Sequence, residues 1–393
     1  MDTPVQTMEK ELKEYIDRLS LSYEDRFIGS AGHRKTFSYL VDQLRSWGLW
    51  VRTQPFHVDI TVPWNWLIEI DFGKGFEEVD ALPGIGSPTI KGVEAEIVPV
   101  GYARDEDYAS GDDYSGKVHL ARLWKSHETD KVTEAALKGA PALLWYNEHF
   151  DELYSGACDY SLAPIPGISI RKTIAEKLLE AGGGRVRISV RSKMRRIRCR
   201  NIIAGHGQED GRHAILTSHY DTRPRTPGAS DDASGVSVML TFIRNRLWKG
   251  LPFDVRFFFA DCEEEGCVGA HTLAAYLHRR NLLKDVSCVV NLDAVGWPNL
   301  CLITGDREAV LDEDLTDTAA DVMRNLGYTP EKVRSRTGKS NHTPFALLGV
   351  KSLWISDYPN YVRHSVLDNA FNIDYPTMNL VTKALPRIFS ELS

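Results

Sequence analysis

The chain has 393 residues, of which 42% are hydrophobic, and a formal net charge of −7, the profile of a globular protein with one or two hydrophobic cores. The negative balance argues against a nucleic acid or an anionic membrane surface as a partner. Charged residues run through the first thirty positions and no apolar run approaches the ~18 residues of a membrane helix, so we expect no signal peptide, no membrane span and a cytoplasmic location, with a processed secreted form as the alternative. None of the six cysteines forms a CxxC pair, and four of them lie in or beside apolar segments, which predicts reduced, buried thiols at Cys262, Cys267, Cys288 and Cys301.

Residues 1–80 are predicted to form the first part of the main domain. Apolar positions recur at helical spacing over 8–48 and are interrupted near Gly29 and Gly32, which predicts two helices, the second from His33 to Trp47. A strand is predicted from Val51 to Val62.

A second module is predicted at 81–190. A turn-rich stretch at 82–88 opens it, and short β-like runs then alternate with a helical pattern at Thr129 to Lys138. We therefore expect a small β-rich domain inserted into a larger one. The stretch from Arg185 to Arg200 contains eight basic residues, several alternating with apolar ones, which favours a solvated strand face over a nucleic-acid patch in this acidic chain.

Residues 191–393 show a regular alternation of strand and helix patterns. The predicted strands are 214–217, 255–260, 286–292 and 351–355, and the predicted helices are 234–248, 269–280, 314–326 and 375–392. This alternation predicts an α/β fold, a three-layer α/β/α sandwich with a mostly parallel central sheet.

Polar residues follow three of these strands directly. His219 and Asp221 follow the first strand, the run Glu263-Glu264-Glu265 follows the second, and Asp293 follows the third. The carboxyl ends of parallel strands meet at one edge of the sheet, where ligands bind, so these side chains should converge. In H-x-D, residues two apart point to the same side, which would let Asp221 accept the other N–H of His219 and fix its tautomer.

The side chains that converge suit a pair of divalent metal ions. Asp231 and Asp232 precede a helix with Ser234 as its predicted N-cap, so they either complement the helix dipole or supply a carboxylate that bridges two cations. Three consecutive glutamates at a buried strand end are costly unless cations neutralise them. One of the three can bind metal while its neighbour accepts a proton. A further histidine ligand could be His342 or His364, and spacing alone does not decide between them.

As a set, five phrases between about 200 and 375 resemble the cocatalytic zinc aminopeptidases, a family that includes glutamate carboxypeptidase II and, more distantly, the glutaminyl cyclases. The phrases are H-x-D at His219, D-x-x-S-G at Asp231 to Gly235, E-E-x-G-x-x-G at Glu263 to Gly269, N-x-D ending at Asp293, and H-[ST]-x-x-D at His364 to Asp368. Asn341, where aspartate is common, and Ala270, where serine is common, depart from the pattern.

The resemblance implies two Zn²⁺ ions, other divalent metals being possible, and a role for each matched residue. Asp231 would bridge the ions, Glu264 and His364 would complete one site, and His219 and Asp293 would complete the other. Glu263 would be the general base, with Asp221 as the second catalytic residue. Gly266 and Gly269, matched to the two glycines of the family's phrase, decide which of the three consecutive glutamates takes which role. His342 would lie near the site without binding metal.

The resemblance further implies a protease-associated domain at 81–190 and a peptide substrate. The activity favoured is that of an aminopeptidase. A metallocarboxypeptidase is the nearest alternative, because Arg223 and Arg225 could clamp a substrate carboxylate, although surface arginines in a Pro-rich loop are the other interpretation. A glutaminyl cyclase using one zinc and a non-catalytic scaffold are further alternatives. Side-chain preference and oligomeric state are not predicted.

Overall fold

The computed structural model describes residues 4–23, 25–109, 113–159, 161–335 and 338–392. The chain divides into two compact units. The larger comprises Met1–Phe56, Arg198–Arg363 and Leu367–Ser393, and the smaller comprises His57–Ile197 with His364–Val366. The sequence boundaries at 81 and 190 were drawn at turn-rich and basic stretches, whereas the smaller unit begins at His57.

The helices in the described ranges are α1 (Pro4–Ile16), α2 (Ala31–Ser46), α3 (Glu128–Leu137), α4 (Lys172–Glu180), α5 (Gly235–Arg244), α6 (Val268–Arg279), α7 (Glu313–Asn325), α8 (Thr343–Leu347) and α9 (Tyr375–Ser390). The strands there are β1 (Trp50–Asp71), β2 (Phe76–Glu78), β3 (Ala81–Pro83), β4 (Ile90–Pro99), β5 (Val118–Arg122), β6 (Leu143–Tyr146), β7 (Gly167–Ile170), β8 (Gly184–Gly205), β9 (His213–His219), β10 (Asp254–Ala260), β11 (Val286–Leu292), β12 (Leu300–Gly305), β13 (Glu331–Arg334) and β14 (Ser352–Asp357).

The larger unit is built on a sheet with the strand order β13-β12-β14-β11-β9-β10-β8. The four central strands β14, β11, β9 and β10 run parallel to one another, while β12 pairs antiparallel with β14, and β8 pairs antiparallel with β10. The predicted mostly parallel α/β sheet is therefore confirmed. The sequence prediction missed β12 and β13.

Consecutive residues of the central strands contribute to two different cores. Phe257 and Phe259 belong to the core that includes residues of α1, α2, α5, α7 and α9, and Phe258 belongs to the core that includes residues of α6 and α8. Side chains alternate across a strand, so these two cores lie on opposite faces of the sheet. This arrangement is the expected three-layer sandwich, and it explains why the strands are apolar on both faces.

The smaller unit contains β3 to β7, with β4, β5, β6 and β7 parallel in that order and β3 antiparallel to β7. The β-like runs and the helix predicted in this region correspond to β4, β5, β6 and α3. Arg185 and Arg187 are 56% and 41% exposed and pair with Glu94 on the neighbouring strand β4, which confirms the solvated strand face.

All six cysteines are buried and unpaired by disulfides, as expected for the four named above. None of the helices in the described ranges is both long and apolar enough to cross a bilayer.

Candidate metal centre

The carboxyl ends of three neighbouring strands bring the predicted site residues together. His219 is the last residue of β9, and it pairs in register with Ala260, the last residue of β10. Asp293 directly follows β11, which lies on the other side of β9. The convergence predicted from the strand-end positions is therefore what the structure shows.

The His219 ring is surrounded by carboxylates. Its Nε2 lies 3.1 Å from Asp231 Oδ1, 3.9 Å from Glu263 Oε2 and 4.0 Å from Asp293 Oδ1, and the side chain is fully buried. Neither His219 Nε2 nor Asp293 Oδ1 makes a hydrogen bond of normal geometry with a described residue. His219, Asp231 and Asp293 each present one ligand atom within 4.8 Å of the others, a spacing that can hold a metal ion.

A second group of the same kind consists of Asp231, Glu264 and His364. Asp231 is common to both groups, which is the position that a bridging carboxylate needs. His342 belongs to neither group. Its ring is fully buried, with Nε2 3.2 Å from Asp306 Oδ2 and Nδ1 3.3 Å from Asn291 Nδ2. His342 is therefore the histidine of neither group.

Asp221 makes different contacts from those predicted. The Nδ1 atom of His219 lies 3.2 Å from the main-chain carbonyl oxygen of Asp221 and 3.6 Å from its carboxylate. The two carboxylate oxygens instead accept the backbone amides of Glu263 and Glu264, at 3.0 and 3.2 Å. The carbonyl oxygen and the carboxylate of Asp221 thus both lie beside His219 Nδ1, and the carboxylate also joins the β9 loop to the β10 loop.

Asp232 binds backbone amides and does not belong to either metal-binding group, which is one of the two roles considered for Asp231 and Asp232. Its oxygens accept the amides of His219, Gly235 and Ala294 at 3.0 to 3.1 Å. Ser234 occupies the predicted N-cap position of α5, but its side chain does not cap the helix, because its hydroxyl donates to the Ser230 carbonyl. Asp232 accepts the amide at the start of α5 instead, while its neighbour Asp231 belongs to the metal-binding groups.

Arg223 lies in the protein interior, contrary to the interpretation of both loop arginines as surface residues. It is 4% exposed, its Nε lies 3.1 Å from Glu264 Oε2, and its Nη1 donates to Glu265 Oε1 at 3.0 Å. Its backbone amide also donates to Glu264 Oε1 at 3.2 Å. Arg225 is exposed, as expected. The guanidinium of Arg223 thus orients two of the three consecutive glutamates.

Buried carboxyl groups outnumber buried or partly buried guanidinium groups three to one at this edge of the sheet. The carboxyl groups are Asp221, Asp231, Asp232, Glu263, Glu264, Glu265, Asp293, Asp357 and Asp368, and the guanidinium groups are Arg26, Arg223 and Arg363. Such an excess of negative charge in a low-dielectric region is stable only when protons or metal cations compensate it.

The pKa values reflect this crowding. Burial, together with the charge of Asp231, raises the pKa of Asp293, and burial with the charges of Asp293 and Glu264 raises that of Glu263 well above its usual range. Burial opposes protonation of His219, but the nearby carboxylates, Glu263 foremost, outweigh it and raise the imidazole pKa. The site therefore attracts cations strongly.

The backbone between β10 and α6 requires glycine at two positions of the E-E-x-G-x-x-G phrase. Gly266 has φ of 98°, which side-chain-bearing residues rarely adopt. A Cβ atom at Gly269 would lie 2.2 Å from the carbonyl oxygen of Asp261. Both glycines are needed for the chain to turn from β10 into α6 with the glutamates facing the site.

Comparisons with known proteins agree with this geometry. Residues 201–387 match the model of Peptidase family M28. Aminopeptidase YwaD of Bacillus subtilis is 26% identical over 351 residues, which are 86% of this chain and 73% of that protein. An aminopeptidase from Aneurinibacillus sp. strain AM-1 is 25% identical and superimposes with a TM-score of 0.71 over 97% of this chain and 92% of its own.

BSAP, a zinc aminopeptidase from Bacillus subtilis, shares the fold with a TM-score of 0.76 at 22% identity, covering 98% of this chain and 94% of its own. The stretch 201–387, which carries every predicted metal ligand, therefore matches the model of Peptidase family M28, and the chain has the fold of the zinc aminopeptidase BSAP.

Proposed function

We propose that this protein is a zinc-dependent aminopeptidase that uses two metal ions to hydrolyse the first peptide bond of a peptide. The observation that carries the proposal is the pair of metal-binding groups that share Asp231. Relatives named as aminopeptidases, among them YwaD and the Aneurinibacillus enzyme, support the reaction class.

The residues fit zinc. Imidazole nitrogen and carboxylate oxygen are ordinary zinc ligands, and each group offers one histidine and two carboxylates, which leaves room for water or substrate as in catalytic sites. The buried ring nitrogen of His219 and the Oδ1 atom of Asp293 have no hydrogen-bond partner among the described residues, so each has a lone pair for an ion. Zinc, when bound, lowers the pKa of a coordinated water to near 7 and polarises a carbonyl group.

Glu263 is the proposed general base. Its carboxylate lies 3.9 Å from the Nε2 atom of His219, beside the first metal-binding group, where a carboxylate can accept the proton of an attacking water. The Cys267 thiol donates to Oε1 at 3.3 Å, and the backbone amide is fixed by Asp221, so the carboxylate has a defined orientation. Glu263 takes a proton from the attacking water as the C–O bond forms, and gives it to the leaving amine as the C–N bond breaks.

The contacts of Arg223 argue against its role as the carboxylate receptor of a carboxypeptidase. A carboxypeptidase needs a cation that can receive the substrate's terminal carboxylate, and Arg223 was the buried candidate. Its guanidinium is instead engaged with Glu264 and Glu265. The remaining carboxylate excess at this edge would attract the positively charged α-amine of a peptide's first residue.

The test is hydrolysis of aminoacyl-p-nitroanilides and short peptides, compared with the same substrates acetylated at the amine. We expect turnover of the free-amine substrates only, loss on chelation, and recovery when zinc is added back, with two zinc ions per active chain. Release of C-terminal residues from acetylated peptides would instead support the carboxypeptidase, and one ion with cyclisation of N-terminal glutamine would support the cyclase.

A further inference from the structure

Arg363, which stands directly before His364 in the chain, is a second arginine beside the metal-binding groups. Its Nε lies 3.3 Å from Asp231 Oδ2, and its Nη2 lies 3.6 Å from Asp357 Oδ1. Its side chain is 20% exposed, whereas the side chains of Asp231 and Asp293 are 4% and 5% exposed. The Arg363 side chain is therefore more accessible than the side chains of the two aspartates.

Two donor atoms of this guanidinium are shielded from water, and each lies near a carboxylate without a well-aligned hydrogen bond to it. Neither Nε nor Nη2 makes a hydrogen bond of normal geometry with any residue in the described ranges. A buried donor without a well-placed acceptor is destabilising, so these two donors would gain from an acceptor on a bound substrate.

Asp357, one of the two carboxylates near Arg363, is itself held by a hydrogen bond. Asp357 accepts the hydroxyl of Ser230 at 2.5 Å and is fully buried. Asp231 is held separately, because Asp368 accepts the backbone amides of Ser230 and Asp231 at 2.6 and 3.1 Å. The loop that carries Asp231 is thus anchored without Arg363, which leaves the guanidinium available for a different partner.

We propose that Arg363 is a catalytic residue that donates hydrogen bonds to the scissile carbonyl oxygen of the substrate as that oxygen becomes negatively charged. This role rests on the proposed peptidase function. When water attacks the carbonyl carbon, a C–O bond forms and the π electrons move to the oxygen. When the intermediate collapses, those electrons restore the carbonyl and the amine departs with the proton carried by Glu263. A fixed cation beside this oxygen stabilises the transition state more than the ground state.

The test compares Arg363→Met and Arg363→Lys with Arg324→Met, which removes an exposed arginine of α7 that is 48% exposed and pairs with Asp321. Zinc content, kcat and KM are measured with an aminoacyl-p-nitroanilide, together with the inhibition constant of an α-aminoalkylphosphonic acid, whose tetrahedral anion mimics the transition state.

We expect Arg363→Met to keep both zinc ions and to change KM little, while kcat falls by ~10²–10³-fold, the scale for losing one oxyanion donor. The phosphonic acid should bind more weakly by a similar factor, with unchanged binding of the product amino acid. Arg363→Lys should show a smaller change of the same kind.

Several results would overturn the role of Arg363. Loss of zinc from the variants would mean that the arginine holds Asp231, and unchanged phosphonic acid binding would mean that it does not contact the oxyanion. A loss confined to substrates with a free terminal carboxylate, absent for their amides, would identify it as a carboxylate receptor. If Arg363→Met does not fold, the phosphonic acid measurement on Arg363→Lys decides. A wild-type protein that hydrolyses no peptide would contradict the proposed function itself, and is a separate outcome.

Discussion

Arg26 is fully buried, and its loss should destabilise the larger unit and the metal centre together. Its guanidinium donates to the carbonyl oxygens of Tyr220, Leu19, Pro227 and Gly228 at 2.8 to 3.0 Å. Three of these four carbonyls belong to the loop that joins His219 to Asp231, so one side chain fixes the path between two predicted ligands.

Replacement of Arg26 by Met keeps much of the side-chain volume but removes the donor of the Tyr220, Leu19 and Pro227 carbonyl oxygens, whereas the Gly228 oxygen still accepts the Ala233 amide. At the low end of the ~1–3 kcal/mol cost of each unsatisfied buried group, the free energy of unfolding should fall by about 3 kcal/mol or more. For a domain of 150–250 residues this corresponds to a drop in Tm of about 6–12 °C. The positive charge is lost as well, so the drop should be larger after chelation, when the carboxylates have no cations beside them.

The assay is thermal unfolding by circular dichroism with zinc and with chelator, alongside Arg34→Met as the control. Arg34 is exposed and makes a single hydrogen bond to the Gly29 carbonyl, so its replacement should change stability by no more than about 0.5 kcal/mol. If Arg26→Met melts within about 2 °C of Arg34→Met in both conditions, water or neighbouring donors satisfy the three carbonyls, and the reasoning is refuted.

Three further predictions concern single side chains. Glu263→Gln should lower turnover by ~10²-fold or more with both ions retained, whereas Glu264→Gln should lose metal and partly recover its activity with excess zinc. The reverse pattern in metal analysis would show that the roles of base and ligand are assigned to the wrong glutamates. His364→Ala should reduce zinc content and His342→Ala should leave most of it, and equal zinc losses would contradict the assignment. Burial lowers the pKa of His213 to about 4, so the neutral ring stabilises the fold fully above pH 6.5 and that stabilisation is lost as pH falls towards 4. Wild type should therefore lose about 2 kcal/mol more than His213→Asn between pH 7.5 and 5, and parallel losses on urea unfolding would rule this out.

The positions of the ligands could be predicted because parallel strands place their carboxyl ends at one edge, and apolar strands such as β9 and β11 are visible in sequence. Strands β12 and β13 were missed. The pattern of β13 is exposed and charged, and β12 runs antiparallel at the side of the sheet, outside the regular strand–helix alternation. Sequence order therefore predicts the centre of the sheet better than its edge.

Contacts between charged side chains were the part that the sequence could not supply. Arg223 follows His219 by four positions in a Pro-rich loop, where exposure is the usual outcome, and only the folded path brings it to Glu264 and Glu265. The same holds for Asp221, whose carboxylate reaches amides more than forty residues away in the chain. Three consecutive glutamates do indicate that a cation is near, but they do not show whether it is a metal ion or the guanidinium of Arg223.

The double hydrogen bond of Asp221 has a consequence for engineering. A designer who wished to transplant this centre onto another α/β scaffold, or to vary it by loop exchange, would find that the segments after β9 and β10 form one indivisible part. Moving the histidine loop alone would leave the amides of Glu263 and Glu264 without their acceptor, and moving the glutamate loop alone would leave the Asp221 carboxylate facing an unfamiliar backbone. Recombination libraries of this scaffold should therefore place crossovers outside both segments and exchange them as a pair.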